Sequence, residues 1–231
     1  ALVTIFGALL AGCASPRHWP AVTVPPTGER TPGRWVWAEL FAAEVAEAER
    51  FYARVFNWQF DTLGSGPEAY TLIRAGDRPV AGIVHKKKPA DEQHAGRWLG
   101  VLSVADVDRT AELAVSGGGR VLVTPRDFPG RGRAAVLADP EGARFGVLRS
   151  EGGDPPDVFP GFDTWLWREL WAEDIGKMAE FYRPIGAYRV SPQADVDGVR
   201  EIFLAAGGHP RAGVVDAVGV GLPSAWVVFV R

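Results

Sequence analysis

The apolar positions of this chain change period in a regular order. From Arg34 onward, Trp35, Trp37, Glu39 and Phe41 alternate with Val36, Ala38, Leu40 and Ala42. The alternation and the aromatic, β-branched content predict a strand. Residues 44–56 then set Val45, Ala48, Phe51, Tyr52 and Val55 at helical spacing, with Glu44 and Glu47 in the first turn, where the helix dipole favours acid. Two or three short strands follow at 58–62, 69–75 and 80–85, divided by Gly, Pro and Asp turns. The same β-α-β-β-β order starts again with a strand at 97–104 and a helix at 105–116 that Gly117-Gly118-Gly119 ends. Strands at 120–124, 134–138 and 144–148 complete it, with Asp139-Pro140-Glu141-Gly142 as a turn. A third unit begins at Thr164, with a helix over 174–185 and strands near Tyr188, at 200–205 and at 212–215. Residues 224–231 read as the opening strand of a fourth unit.

The pattern is also a literal repeat. Trp35-Val36-Trp37-Ala38-Glu39-Leu40 returns 130 residues later as Trp165-Leu166-Trp167-Arg168-Glu169-Leu170, and Phe51-Tyr52 returns as Phe181-Tyr182. Pro79-Val80-Ala81-Gly82 returns as Pro210-Arg211-Ala212-Gly213 with one residue of slippage, and Trp98 as Trp226. A repeat of this length duplicates a whole domain. The first copy runs on from Trp98 to Arg149, whereas five residues follow Trp226. The expectation is therefore a fragment whose second domain is incomplete. Its parts are 1–13, a signal and lipobox; 14–33, a Pro-rich linker; 34–150, a first domain of two units; 151–161, a second linker; and 162–231, the second domain.

Composition adds three points. With 231 residues, 47% hydrophobic and 23% charged, the chain suits an ordinary globular protein of one large or two small domains. A net charge of −3 offers no footprint for nucleic acid. The single cysteine allows no internal disulfide. It ends an uncharged apolar run, Leu10-Ala11-Gly12-Cys13, which is too short to span a bilayer but suits a secretory signal. The run resembles the lipobox of bacterial lipoproteins. That resemblance implies a lipid anchor on Cys13, attachment to the membrane, and a place in the bacterial cell envelope. Ala14, where an Asp would favour the inner membrane, points to the periplasmic face of the outer membrane.

From Arg34 on, the paired β-α-β-β-β units resemble the vicinal oxygen chelate superfamily of glyoxalases, bleomycin-resistance proteins and extradiol dioxygenases. The residues carrying the likeness are 44–52, Ser103-Val104-Ala105-Asp106-Val107-Asp108 and Asp139-Pro140-Glu141-Gly142-Ala143. The resemblance implies an α+β fold of paired βαβββ modules that curl into incomplete barrels, in two tandem domains with the second truncated. Each barrel would form a cup, commonly holding a divalent metal. Aligned by the helix Phe, the ligand positions of the first cup fall on Trp37, Leu99 and Gly146, and the first-strand position of the second on Trp167. None of these can donate to a metal. No metal or other cofactor is expected in the first cup; a divalent metal in the second domain stays open.

What remains is aromatic and acidic. Period 2 would place Trp35, Trp37, Glu39 and Phe41 on one face, with Trp165, Trp167 and Glu169 repeating them. Glu39 and Glu169 are candidate general acids or bases if desolvation raises their pKa values. Alternatively, Glu39 is a structural carboxylate paired with an arginine such as Arg74, Arg133 or Arg144. Trp35, Trp37, Tyr70, Leu99, Trp165 and Trp167 are candidate ligand contacts, the tryptophans by stacking or cation–π contact; core packing is the other reading of them. Of the histidines only His85, at a strand end, could reach a cup mouth. The function expected is a lipid-anchored binding protein for a small, partly aromatic or cationic molecule in a metal-free cup. The alternative is an enzyme of the superfamily, a lyase, isomerase or dioxygenase with its metal site in the second domain. Oligomeric state is not legible.

Overall fold

The computed structural model describes residues 19–66, 69–86, 96–219 and 221–231, so Cys13 and the run before it lie outside the described residues. The first unit comprises β1 (Trp35–Ala42), α1 (Val45–Phe56), β2 (Gln59–Leu63), β3 (Tyr70–Ala75) and β4 (Arg78–His85). The second comprises β5 (Gly96–Ser103), α2 (Val107–Ser116), β6 (Arg120–Phe128), β7 (Gly132–Ala138) and β8 (Arg144–Ser150). The third comprises β9 (Trp165–Ala172), α3 (Ile175–Ile185), β10 (Arg189–Val190), β11 (Ala194–Val196), β12 (Val199–Ala206) and β13 (His209–Asp216), followed by β14 (Ala225–Val230). The α+β class and the repeated βαβββ order match the sequence reading.

Eight strands form one sheet in the order β2-β3-β4-β1-β5-β8-β7-β6. Each half repeats the other, with β4 parallel to β1 and β8 parallel to β5, and the halves join through antiparallel β1 and β5. The second sheet, β10-β12-β13-β9-β14, repeats one half plus the joining strand, since β14 runs antiparallel to β9 as β5 does to β1. Among the described residues, no further strand pairs with the edges of either sheet.

One face of the first sheet packs against helices. Ala38, Leu40, Ile73, Ala81 and Ile83 meet Val45, Ala48, Tyr52 and Phe56 of α1. Leu102, Leu137, Phe145 and Val147 share a single core with α2, with α3, and with Leu170, Leu204 and Val214 of the second sheet. The second and third units are thus fused through their helices. Phe181 of α3 lies within about 3 Å of where side chains on Gly117 and Gly119 would project, so the glycine run that stops α2 also admits this ring. Asp174 caps α3 by accepting from the Lys177 N–H at 2.9 Å, and the Glu141 carboxylate accepts from the Glu173 and Asp174 N–H groups at 2.9 Å. Buried Asp139 accepts from the Tyr182 hydroxyl at 3.0 Å and from the N–H groups of Glu141 and Ala143. Burial pushes its carboxyl up, against those hydrogen bonds.

Period 2 fails in both tryptophan strands, β1 and β9. The pairing of β1 with β5 slips between Trp35 and Trp37, and that of β9 with β14 slips between Trp165 and Trp167. A bulge puts neighbouring residues out of alternation. Trp35 therefore does not share the face of Trp37; it packs on Trp226 at 4.4 Å between ring centres. Trp165 likewise turns away and packs on Trp98 and Trp58 at 5.2 and 5.5 Å. The two tryptophans pin the sheets together as a reciprocal pair.

The described residues of the segments read as linkers are packed. Trp19 donates its N–H to the Pro129 carbonyl at 2.8 Å, and Val22 and Thr23 are buried. Asp154, also buried, accepts from the Ser103 and Ser150 hydroxyls at 2.6 and 2.9 Å and from the Thr31 N–H at 2.8 Å. Proline fixes φ, so such straps lose little further chain entropy on docking.

Candidate functional site

The concave face of the first sheet forms a cup of about 210 Å³. Trp37, Glu39, Leu99, Val101, Gly146 and Leu148 line it from the central strands. Phe128 and Arg131 close one side, and Trp19 of the N-terminal strap closes the top, edge-on to Tyr70 and Phe128 at 5.4 and 5.2 Å. All three positions that the resemblance assigned to metal ligands, Trp37, Leu99 and Gly146, therefore do line the cup.

Glu39 is 8% exposed, and both its oxygens accept hydrogen bonds. It accepts from Trp37 Nε1 at 2.9 Å and from the Tyr70 hydroxyl at 3.0–3.1 Å, and it is ion-paired with Arg131 Nη1. Arg131 Nη2 donates to the Tyr70 oxygen at 3.0 Å and Nε to the Pro20 carbonyl at 2.9 Å. The Arg131 guanidinium lies over the Trp37 ring at 4.9 Å. Burial pulls the Arg131 pKa down, but Tyr70 and Glu39 outweigh it and hold the guanidinium above its ordinary value. Burial, and then Glu39, push the Tyr70 hydroxyl well up, so it stays protonated.

This corrects the sequence reading of the partner. The counter-ion of Glu39 is Arg131, not Arg74, Arg133 or Arg144. Arg74 pairs with Asp61 at 2.9 Å, and Arg133 pairs with Asp108 and Asp127. Tyr70 stands behind the cup wall and holds Glu39. The site also explains the Ala-Gly repeat. Gly82 is the register partner of Glu39, and a side chain there would fall 1.7 Å from the Tyr70 oxygen.

A divalent cation does not fit this cup. Among the described residues that line it, Glu39 is the one carboxylate and both its oxygens already accept, there is no imidazole or thiolate, and a guanidinium sits beside the carboxylate. Divalent sites call for three or four free donors.

The second sheet carries a variation. Glu169 takes the place of Glu39, and Glu201 takes that of Tyr70. A side chain on Gly213 would meet Glu201 Oε1 at 2.1 Å, as one on Gly82 would meet Tyr70. Trp171 Nε1 donates to Glu169 at 3.2 Å. Partial burial, and then the charge of Glu169, push the Glu201 carboxyl up. Trp167 stands 6.3 Å from Phe203 on this sheet. It also joins Trp35 and Trp165 in lining a separate cleft between the sheets. His85 is exposed at the end of β4.

Arg131, Trp19, Glu201 and Arg168 escaped sequence reasoning. Only two left a trace: Glu201 falls 131 residues after Tyr70, and Arg168 interrupts an apolar strand where the first copy has Ala38.

Residues 34–147 match the sequence family described as the Glyoxalase/Bleomycin resistance protein/Dioxygenase superfamily. The chain is 32% identical over 167 residues to the anthracycline biosynthesis protein DauV of Streptomyces sp. strain C5, covering 66% of this chain and 60% of that protein. It is 30% identical over 200 residues to the anthracycline biosynthesis protein DnrV of Streptomyces peucetius, covering 80% and 71%. The fold superposes on the Mn(II)-bound glyoxalase of Novosphingobium aromaticivorans with a TM-score of 0.57 at 18% identity, covering 84% of this chain and 64% of that one. The chain thus spans under two thirds of DauV and of that glyoxalase. It belongs to the glyoxalase, bleomycin-resistance and dioxygenase superfamily, the vicinal oxygen chelate proteins.

Proposed function

We propose that the first cup binds a small, flat, largely apolar molecule without a metal. One observation carries this reading: the three ligand positions of the superfamily are Trp37, Leu99 and Gly146, and the nearby carboxylate is locked to Arg131. The wall then offers an indole face, aliphatic surface and a bound guanidinium. Stacking and cation–π contacts would supply roughly 0.5–2 kcal/mol each. At about 210 Å³ the cup suits a compact ligand, or a larger one that displaces the Trp19 strap. With its donors in place, Glu39 orients Tyr70 and Arg131. DauV and DnrV, both named for anthracycline biosynthesis, make an aromatic ligand a reasonable first class to try.

The test is a panel of small aromatic compounds titrated in chelator, read by tryptophan fluorescence. Saturable binding by the wild type, lost in Leu99→Trp, which fills the cup, is expected. Binding that needs added metal, or that survives Leu99→Trp, defeats the reading.

The second reading is a superfamily enzyme with its metal site in the second domain. The adjacent carboxylates of Glu169 and Glu201 favour it, since they supply two oxygen donors on the concave face. Metal-dependent activity abolished by both Glu169→Gln and Glu201→Gln would establish it. We propose further that Cys13 carries the lipid that holds the protein at the cell envelope, on the strength of Leu10-Ala11-Gly12-Cys13. Release of the protein from the membrane fraction by Cys13→Ala would test this.

A further inference from the structure

A second cavity, about 840 Å³, opens between the two sheets, away from the cup. Trp35, Trp165, Arg168, Arg34, Arg211 and Asp157 are among its walls. Arg34 and Arg211 share Asp157, at 3.3 Å and at 2.7–2.9 Å. Arg168 has no such partner. It is 5% exposed, and its Nε and Nη2 are buried without an acceptor among the described residues. Trp35 Nε1 is buried and unpaired in the same way. The Arg168 guanidinium lies between indoles, 5.5 Å from the Trp35 ring and 5.4 Å from the Trp165 ring. Indole faces attract a cation but cannot accept its in-plane N–H bonds. Burial pulls the arginine pKa down to about 10.

An isolated buried guanidinium is costly, and the fold does not require one here. The equivalent position of the first copy is Ala38, packed in the core under α1. The orphaned groups are all donors, and with one carboxylate against three arginines the cleft has a surplus of two positive charges. Leu166, Pro210 and Phe229 make the rest of the wall apolar, with Leu166 and Phe229 exposed at the opening.

We propose that this cleft is a binding site for a small aromatic carboxylate. Its carboxylate pairs with the fork of Arg168, and its ring lies against the apolar opening. A planar carboxylate matches guanidinium geometry with two parallel hydrogen bonds. The site is independent of the cup and of the reading given to it.

Benzoate is the probe, followed by melting temperature and tryptophan fluorescence. Saturable stabilisation of the wild type is expected, which sodium chloride at equal ionic strength does not reproduce. Arg168→Met should weaken binding at least about tenfold. Without ligand it should melt above the wild type, because it removes an unpaired buried charge. Leu166→Glu, at an exposed position, should weaken binding by charge repulsion without disturbing the fold. The proposal is overturned if benzoate does not bind saturably, or if Arg168→Met or Leu166→Glu binds it as tightly as the wild type.

Discussion

The hydroxyl of Tyr70 occupies the space that a side chain at Gly82 would need. The glycine lets the tyrosine cross from β3 to reach Glu39 on β1, so the buried cluster depends on a missing methyl group. Gly82→Ala should destabilise the chain by about 1–3 kcal/mol, as overpacking does. Gly213→Ala should cost less, because the atom in its way is the end of the Glu201 side chain. Denaturant midpoints of the two variants check the order.

The Glu39–Arg131 pair should show the asymmetry of buried ions. Arg131→Met alone leaves a buried carboxylate without its counter-ion and should cost about 3–5 kcal/mol. Combining it with Glu39→Met should recover much of that loss. A double-mutant cycle measures the coupling, and simple additivity of the two losses would show that the pair does not act as a unit.

Glu201 sets a pH dependence. Its folded carboxyl is held above its unfolded range, first by burial and then by Glu169. The folded state therefore binds this proton more tightly than the unfolded state does. Stability should fall as pH rises from the usual carboxylate range through the raised value, then level off. Glu201→Gln should remove that component. Unfolding curves across this window, with Trp171 fluorescence as a local reporter, would give identical slopes for both proteins if the carboxylates do not interact.

Glu141 reaches from the turn after β7 to the N–H groups of Glu173 and Asp174, just ahead of α3, and so ties the second unit to the third. Glu141→Ala should cost about 1 kcal/mol, the usual value of a lost cap. Hydrogen exchange should quicken in the first turn of α3 before it does in α2.

The repeat made the fold legible. The helices and all strands of the three units but β11 follow from alternation, helical spacing and Gly/Pro/Asp turns, and the copies check each other. The site was legible only where period 2 holds. Trp37 and Leu99 sit in the cup as alternation requires, but the bulge after Trp35 reverses that residue and its copy Trp165, and no local pattern announces a bulge. The Glu39 partner was out of reach for a different reason. Arg131 lies in a turn and meets Glu39 only because the β6–β7 hairpin folds over the cup, a contact between residues 92 apart. The straps misled because proline-rich composition reads the same whether the segment is free or docked.

The most direct test of a metal-free cup is metal content, by elemental mass spectrometry on protein purified without chelator and then equilibrated with manganese. Less than stoichiometric metal, unchanged in Glu39→Gln, is the result expected from Trp37, Leu99 and Gly146 at the ligand positions. One tightly held metal ion per chain that Glu39→Gln releases would contradict it.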